Sequence, residues 1–453
     1  MATGTSLAVP DAGPDTGLGT GLGTGLGVRP GVRPGVREWA RRAGALSPVL
    51  AVIALLLVPG GGGGAQGGTG GTGTVADAAS GLLVLICLVR VVRSGARPLT
   101  RAAAVVLGLP VLGICLAAIT SSDPGASLPG VARYLQIFVL VPAAVLLTVR
   151  DRRDFAVVAW ALVGLALLQG AVGVAQFLTG TGASYQGEDV RAVGTFGATD
   201  VMGMATVVSY GLVIATALAL GGRAGRARTG ALVCAGLLFV PLVLSFSRGA
   251  WIATVLTCGL LLVLSGLRRA GRVALVVAAL AVVLVGGFGI GSDLVEERVT
   301  SITQVTAAPD QSVTDRYTMW AAAGRMWSGE PLTGVGLKGF PAYRDSNASL
   351  ALSSGSDTAG AGAAFARQPL LSPHNMYLLV LSEQGLIGLL ALAGSWLALL
   401  VAALRRRGLV ATGLLTWQLV DFFYADIGGP STVLMSVVLG LAAWWSLAEV
   451  RRA

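Results

Sequence analysis

Histidine and lysine are nearly missing from this 453-residue chain: His374 and Lys338 are single occurrences, and the other basic residues are arginine. Charge of either sign is scarce as well. Only 12% of residues are charged and 54% are hydrophobic, whereas an ordinary globular domain carries roughly 25% charged residues, so a soluble fold is excluded as the main architecture. Cysteine is limited to Cys87, Cys115, Cys234 and Cys258, all inside apolar runs and without a CxxC pair. Neither a disulfide framework nor a zinc site is indicated, and these thiols are expected to be buried small hydrophobes. The net charge of +10 would suggest nucleic acid in a soluble protein. Here the position of each arginine matters more than the sum, and no nucleic-acid partner is expected.

What the chain has instead is a series of apolar runs of the length needed to cross a hydrocarbon core of about 30 Å. Candidate spans fall at 46–60, 76–93, 101–120, 131–149, 155–178, 200–220, 229–246, 250–267, 272–291, 375–404, 408–425 and 430–449. The spans predict an all-α polytopic membrane protein with about twelve transmembrane helices. Every second joint collects arginines, from Arg41 and Arg42 through Arg150, Arg152 and Arg153 to Arg451 and Arg452. By the positive-inside rule those joints, and both termini, are cytoplasmic. The alternate joints face outward, including 179–199, the Ser-Phe-Ser-Arg-Gly turn at 245–249, the stretch 292–374 and the joint 426–429. The large extracytoplasmic loop, 292–374, is expected to carry short amphipathic helices. Residues 1–45, with Gly-Leu-Gly-Thr and Val-Arg-Pro-Gly repeats, offer too little contiguous apolar surface to offset the entropy of ordering and read as a disordered cytoplasmic tail. Residues 46–453 form the membrane domain.

Three arginines on the outward side, Arg191, Arg248 and Arg316, stand near predicted membrane boundaries or a helix start. A guanidinium fork matches phosphate oxygens and stays charged at physiological pH. Snorkelling, or an ion pair with Glu188, Asp189 or Asp315, would equally account for each arginine taken singly. His374 lies in Leu-Ser-Pro-His-Asn. There Ser372 is suited to cap a helix and Pro373 to open it, which would put His374 in the first turn. The positive end of the helix dipole disfavours imidazolium, leaving His374 neutral and able to accept a proton; a purely structural histidine is the alternative. Glu383, nine residues on, would lie about 13 Å deeper. An ionisable group there is a functional candidate unless an arginine or backbone group satisfies it. Asp421 is similarly ambiguous. Ser312 to Asp315 resembles a capping box opening an amphipathic helix, with Tyr317, Trp320, Gly324 and Trp327 recurring along one side. The Gly-rich stretch 331–340 precedes no helix in a βαβ context and is not a nucleotide-binding loop.

With these residues in view, the chain resembles the O-antigen ligase and O-antigen polymerase superfamily over roughly residues 130–445. The resemblance rests on Ser-Pro-His-Asn-Met-Tyr-Leu at 372–378, running on through Glu383 and Gly385 to Gly388, and on Ser-Phe-Ser-Arg-Gly-Ala with Arg248. It rests also on Arg-Tyr-Thr-Met-Trp with Arg316, followed by Pro331, Gly334 and Gly336, and on Arg-Ala-Val-Gly-Thr-Phe from Arg191. After that last segment the family often carries Pro-Asn, where this chain has Gly197, Ala198, Thr199 and Asp200. The resemblance implies a GT-C-like integral membrane glycosyltransferase. Such an enzyme moves a glycan from a polyprenyl diphosphate carrier to a hydroxyl of a glycan, lipid or protein acceptor, without metal or cofactor. It also implies that Arg248, Arg316 and Arg191 hold the diphosphate, that His374 serves as base, and that Asn375 and Glu383 position the reactants. A transporter or flippase for lipid-linked glycans is the competing reading, since many spans with intramembrane charges suit it as well.

Overall fold

The computed structural model describes residues 36–59, 74–95, 99–185, 188–200, 202–222, 225–272, 311–349, 352, 356–360, 366–368, 370–429 and 431–448. The chain divides into two units, Met1–Arg42 and Ala43–Ala453. The expected tail lies outside the described residues except at its end, where helix Val36–Leu55 begins. The expected span 272–291 and the loop up to residue 310 also lie outside them, apart from Arg272.

Among the described residues, eight helices are long and apolar enough to cross a membrane: Val75–Ser94, Arg101–Ile119, Ser127–Thr148, Arg152–Thr179, Gly203–Gly221, Arg226–Leu244, Arg248–Ser265 and Met376–Arg405. Three shorter apolar helices, Gly44–Leu55, Leu409–Asp421 and Thr432–Leu447, accompany them, and each of these helices falls on an expected span. This is a multi-pass membrane protein. Several of the helices start where short polar side chains take the first unpaired N–H groups. Thr74 and Asp77 form a reciprocal capping box, Asp151 accepts from the backbone N–H of Arg153 and Asp154, and Ser247 accepts from Ala250. Helix Ser127–Thr148 contains a π-helical turn, Gln136–Leu140. Of the four cysteines, Cys87 is buried as expected, Cys234 and Cys258 are partly so, and Cys115 is exposed on its helix. A single-span helix presents one flank outward, and Cys115 lies on that flank.

Small residues let the helices approach closely. A Cβ added at Gly113 would sit 2.6 Å from Gly388 Cα, so the Arg101–Ile119 and Met376–Arg405 helices meet glycine to glycine. Beside the helical body, four short antiparallel strands pair in the order β2-β1-β3-β4: β1 Ala183–Tyr185, β2 Glu188–Arg191, β3 Ser356–Gly360 and β4 Ala366–Gln368. Ala183 faces Arg191 on one side and Gly360 on the other, which ties the loop bearing Arg191 to the far part of the 292–374 stretch.

The long helix Met376–Arg405 is interrupted at Gly385 (φ 64°, ψ −166°). Backbone at membrane depth must find partners within the protein, and here the Gly-rich stretch supplies them. Val335 and Gly336 N–H donate to the carbonyls of Ser382 and Glu383 at 2.8 and 3.1 Å. Leu386 and Ile387 N–H donate to Pro331 and Leu332 O at 2.9 and 3.3 Å. The interruption is thus sealed on both sides by residues 331–336. A Cβ at Gly385 would lie 2.2 Å from the Leu332 carbonyl carbon, in a backbone region that costs an L-residue roughly 1–3 kcal/mol by itself. Gly385→Ala should therefore lower the melting temperature of the detergent-purified protein. Gly324→Ala, inside a helix where an added Cβ meets nothing within 4 Å, should not lower it and should raise it slightly in the same thermal scan.

Candidate functional site

Three of the four sequence motifs meet at a single turn, residues 422–426, which links the Leu409–Asp421 helix to the joint before Thr432, and the fourth touches the residue just before one of them. The Met376 N–H points at the carbonyls of Phe422 and Ala425, at 2.9 and 3.1 Å. Asn375 Nδ2 donates to Phe423 O at 3.2 Å, and an Arg316 guanidinium nitrogen donates to Tyr424 O at 3.3 Å. Gly249, next to Arg248, lies against Tyr424 so closely that a Cβ there would come within 2.9 Å of the tyrosine Cβ. Arg191 joins through its neighbour: Ala192 N–H donates to Leu244 O at 3.3 Å, just before the Ser-Phe-Ser-Arg turn.

The His-Asn motif departs from its expected local structure. The helix cap is Asn375, whose side chain accepts the Leu378 N–H at 3.1 Å. Ser372 is not the cap, and His374 precedes the helix instead of lying in its first turn. His374 has φ 49°, a left-handed conformation that non-glycine residues adopt at a cost. Asparagine competes well for the cap because its amide can accept one N–H and donate elsewhere, and Asn375 does both. Trp320 Nε1 donates to Pro373 O at 2.9 Å and steadies the residue just before the histidine. Phe246, two residues before Arg248, and Lys338, in the Gly-rich stretch, are left-handed as well (φ 50° and 61°). Three of the four such residues described therefore lie in these motifs.

Neutrality of His374 has a different cause from a helix dipole. Burial lowers its pKa from 6.5 and the Arg316 guanidinium lowers it further, while the Asp426 carboxylate opposes both. Asp426 escaped the sequence reading, having no motif around it. The one signal was its place as the acid immediately after the aromatic end of a span. Its Oδ2 is buried and has no hydrogen-bond partner among the described residues, which leaves an acceptor at the site for a proton-bearing group.

The remaining expected residues divide by role. Arg248 opens the helix Arg248–Ser265 and is exposed. Arg316 is partly buried on helix Gln311–Gly329, which begins one residue before the predicted box at Ser312 and packs Met319, Ala322 and Met326 inward. Tyr317 on that helix is exposed. Arg191 is on β2. Glu383 is buried, and its carboxylate accepts the Phe340 N–H at 3.2 Å. That bond holds the start of helix Phe340–Asn347, so Glu383 is engaged with backbone. Asp421 accepts from Gln418 Nε2 at 3.3 Å within the bundle.

Beside the 422–426 turn lies an apolar cleft of about 340 Å³ lined by Ile252, Leu256, Trp320, Asn375, Val420, Phe423 and Tyr424. Ile252 and Leu256 follow Arg248 at four-residue steps on one helical face, so the cleft runs away from the arginine. Ile252, Leu256 and Phe423 are also exposed on the outside of the bundle, which makes one wall of the cleft open sideways.

None of the curated proteins compared with the chain matches it. The family described as O-Antigen ligase matches residues 231–393. That stretch contains Arg248, Arg316, the Gly-rich segment, His374, Asn375 and Glu383, while Arg191 and the 422–426 turn lie outside it. The resemblance carried by the motifs is borne out over residues 231–393, which match the O-antigen ligase family within a multi-pass membrane protein.

Proposed function

We propose that the protein is a metal-independent glycosyltransferase that moves a glycan from a polyprenyl diphosphate carrier to an acceptor hydroxyl on a glycan, lipid or protein. The acceptor side is the outer face of the cytoplasmic membrane, and the protein acts in the manner of O-antigen ligases and polysaccharide polymerases. The observation that supports this reading is that Arg316, Gly249 next to Arg248, and Asn375 next to His374 all meet the turn 422–426, which lies beside an apolar cleft. A carrier lipid is apolar along its chain and dianionic or more at its head. The cleft suits the first part, and the arginines suit the second.

In the reaction, the bond between the anomeric carbon and the diphosphate oxygen breaks as the acceptor oxygen bonds to that carbon. Charge grows on the departing diphosphate, where Arg248, Arg316 and Arg191 offset it. The acceptor proton passes to the His374 imidazole, and the Asp426 carboxylate stabilises the imidazolium that forms. Asn375 fixes the histidine's backbone through its two hydrogen bonds, and Glu383 holds the adjoining stretch. The membrane places the mouth outward if the arginine-rich joints are cytoplasmic. The GT-C-like architecture with about twelve spans is part of the same proposal.

A transporter would also use a broken helix near an intramembrane carboxylate. At Gly385, however, the carbonyls of Ser382 and Glu383 and the N–H groups of Leu386 and Ile387 are already bonded to residues 331–336, so these groups do not hold a cargo. The enzymatic reading is therefore favoured.

Two outcomes are expected of the purified protein in nanodiscs with polyprenyl diphosphate glycan, acceptor and EDTA. Wild type transfers, whereas His374→Ala and Arg248→Ala lose at least about 100-fold in kcat; variants that are folded and as active as wild type would refute the site. The pH profile gives the second outcome. Because the folded His374 pKa lies below 6.5, the base stays unprotonated as pH falls through 6.5, and the acid limb of kcat/KM lies below that value. The unfolded chain binds this proton more readily, so His374 also makes the fold less stable as pH drops below 6.5. An acid limb at or above pH 6.5 would contradict the assignment of His374 as a buried neutral base.

A further inference from the structure

Asp200 ends the stretch, Gly197 to Asp200, at which this chain departs from the pattern its motif resembles, and nothing in the chemistry above uses it. It closes the 3-10 segment Gly194–Asp200, and its Oδ2 accepts the Ser431 N–H at 2.9 Å, across 231 residues of sequence. A second N–H reaches it from Gly203. Ser431 and Gly203 stand at the starts of helices Thr432–Leu447 and Gly203–Gly221, and neither helix has a side-chain cap from its own N-cap residue. One carboxylate thus serves two helix N-termini, one three residues on in its own segment and one across 231 residues, where the dipoles favour negative charge.

The fit around it is close. A Cβ at Gly203 would lie 2.8 Å from the Asp200 carboxyl, and one at Gly429 2.7 Å. Gly429 also has φ 68°. The short joint is knotted at its far end, where Gly428 N–H donates to Thr432 Oγ1 at 3.1 Å and that hydroxyl donates back to Gly428 O at 2.6 Å. From this knot the chain reaches Asp426 in two residues.

We propose that Asp200 is a positioning residue, whose carboxylate fastens the joint 426–431 to two helix ends and so sets Asp426 beside His374. The role of Asp426 as partner of the base rests on the function proposed above; the mechanical link from Asp200 to Asp426 does not. The charges that bear on His374 are Asp426 and Arg316, so any influence of Asp200 on the imidazole runs through the joint.

Because the chain has one histidine, the full-length protein labelled with ¹⁵N-histidine gives a single imidazole to titrate in nanodiscs. Asp426→Asn should move its midpoint down, since the carboxylate holds it up. Asp200→Ala should move it the same way, and Asp200→Asn, which keeps an acceptor oxygen for Ser431, should move it less. In the Asp426→Asn background, Asp200→Ala should add nothing. In the transfer assay, Asp200→Ala should lower kcat by about 10- to 100-fold with KM for the donor unchanged and partial rescue in Asp200→Asn.

An Asp200→Ala midpoint equal to wild type, an Asp426→Asn midpoint equal to wild type, or additive shifts in the double variant would each overturn the proposal. Should Asp200→Ala fail to fold, Asp200→Asn decides on the same readout, and a midpoint equal to wild type counts against it. A wild-type protein that transfers no glycan, while the midpoints move as stated, would remove the enzymatic reading and leave the positioning role standing.

Discussion

A peptide backbone inside a membrane cannot leave its polar groups to water, and this constraint organises the reactive end of the molecule. Wherever the helices break or stop, some other piece of chain has to supply donors and acceptors. The interruption at Gly385 draws in residues 331–336. The end of the Leu409–Asp421 helix offers carbonyls from 422 to 425, and these are met by Met376 N–H, the Asn375 amide and the Arg316 guanidinium. The residues with chemistry to perform are thereby held by the same bonds that satisfy the backbone.

Holding them this way separates rigidity from reactivity. Asn375 is occupied on both ends of its amide, and Glu383 is occupied with Phe340 N–H. Among the described residues the Oδ2 of Asp426 has no hydrogen-bond partner, and Arg248 is exposed. The left-handed conformations of Phe246, Lys338 and His374 are strained positions that the surrounding contacts enforce. The apolar cleft lies beside the 422–426 turn.

Much of this could be read from the sequence because membrane spans obey two strong one-dimensional rules, run length and arginine asymmetry. His374, Arg248 and Arg316 stood out because polar groups near span ends are rare in such a chain. What could not be read depends on three-dimensional partners. Asn375 displaced Ser372 as the cap because its amide also reaches Phe423 O, a residue 48 positions away. The short strands follow from pairing between loops separated by more than 150 residues, which no local pattern announces. The Gly-rich stretch was recognised for what it is not, a nucleotide loop. Its use as a seal for a broken helix needs knowledge of which helix breaks. Asp426 and Asp200 carry no local signature at all, since their roles arise from what the fold brings opposite them.

The order of synthesis gives the 422–426 turn another meaning. The arginine helix and the Gly-rich stretch leave the ribosome well before the segments that complete them. Gly385 and its neighbours must arrive before residues 331–336 find their hydrogen bonds, and the turn at 422–426 must arrive before Met376, Asn375 and Arg316 find theirs. A nascent chain stopped short of the 422–426 turn therefore holds His374, Asn375 and Arg316 without the backbone partners that fasten this part of the fold.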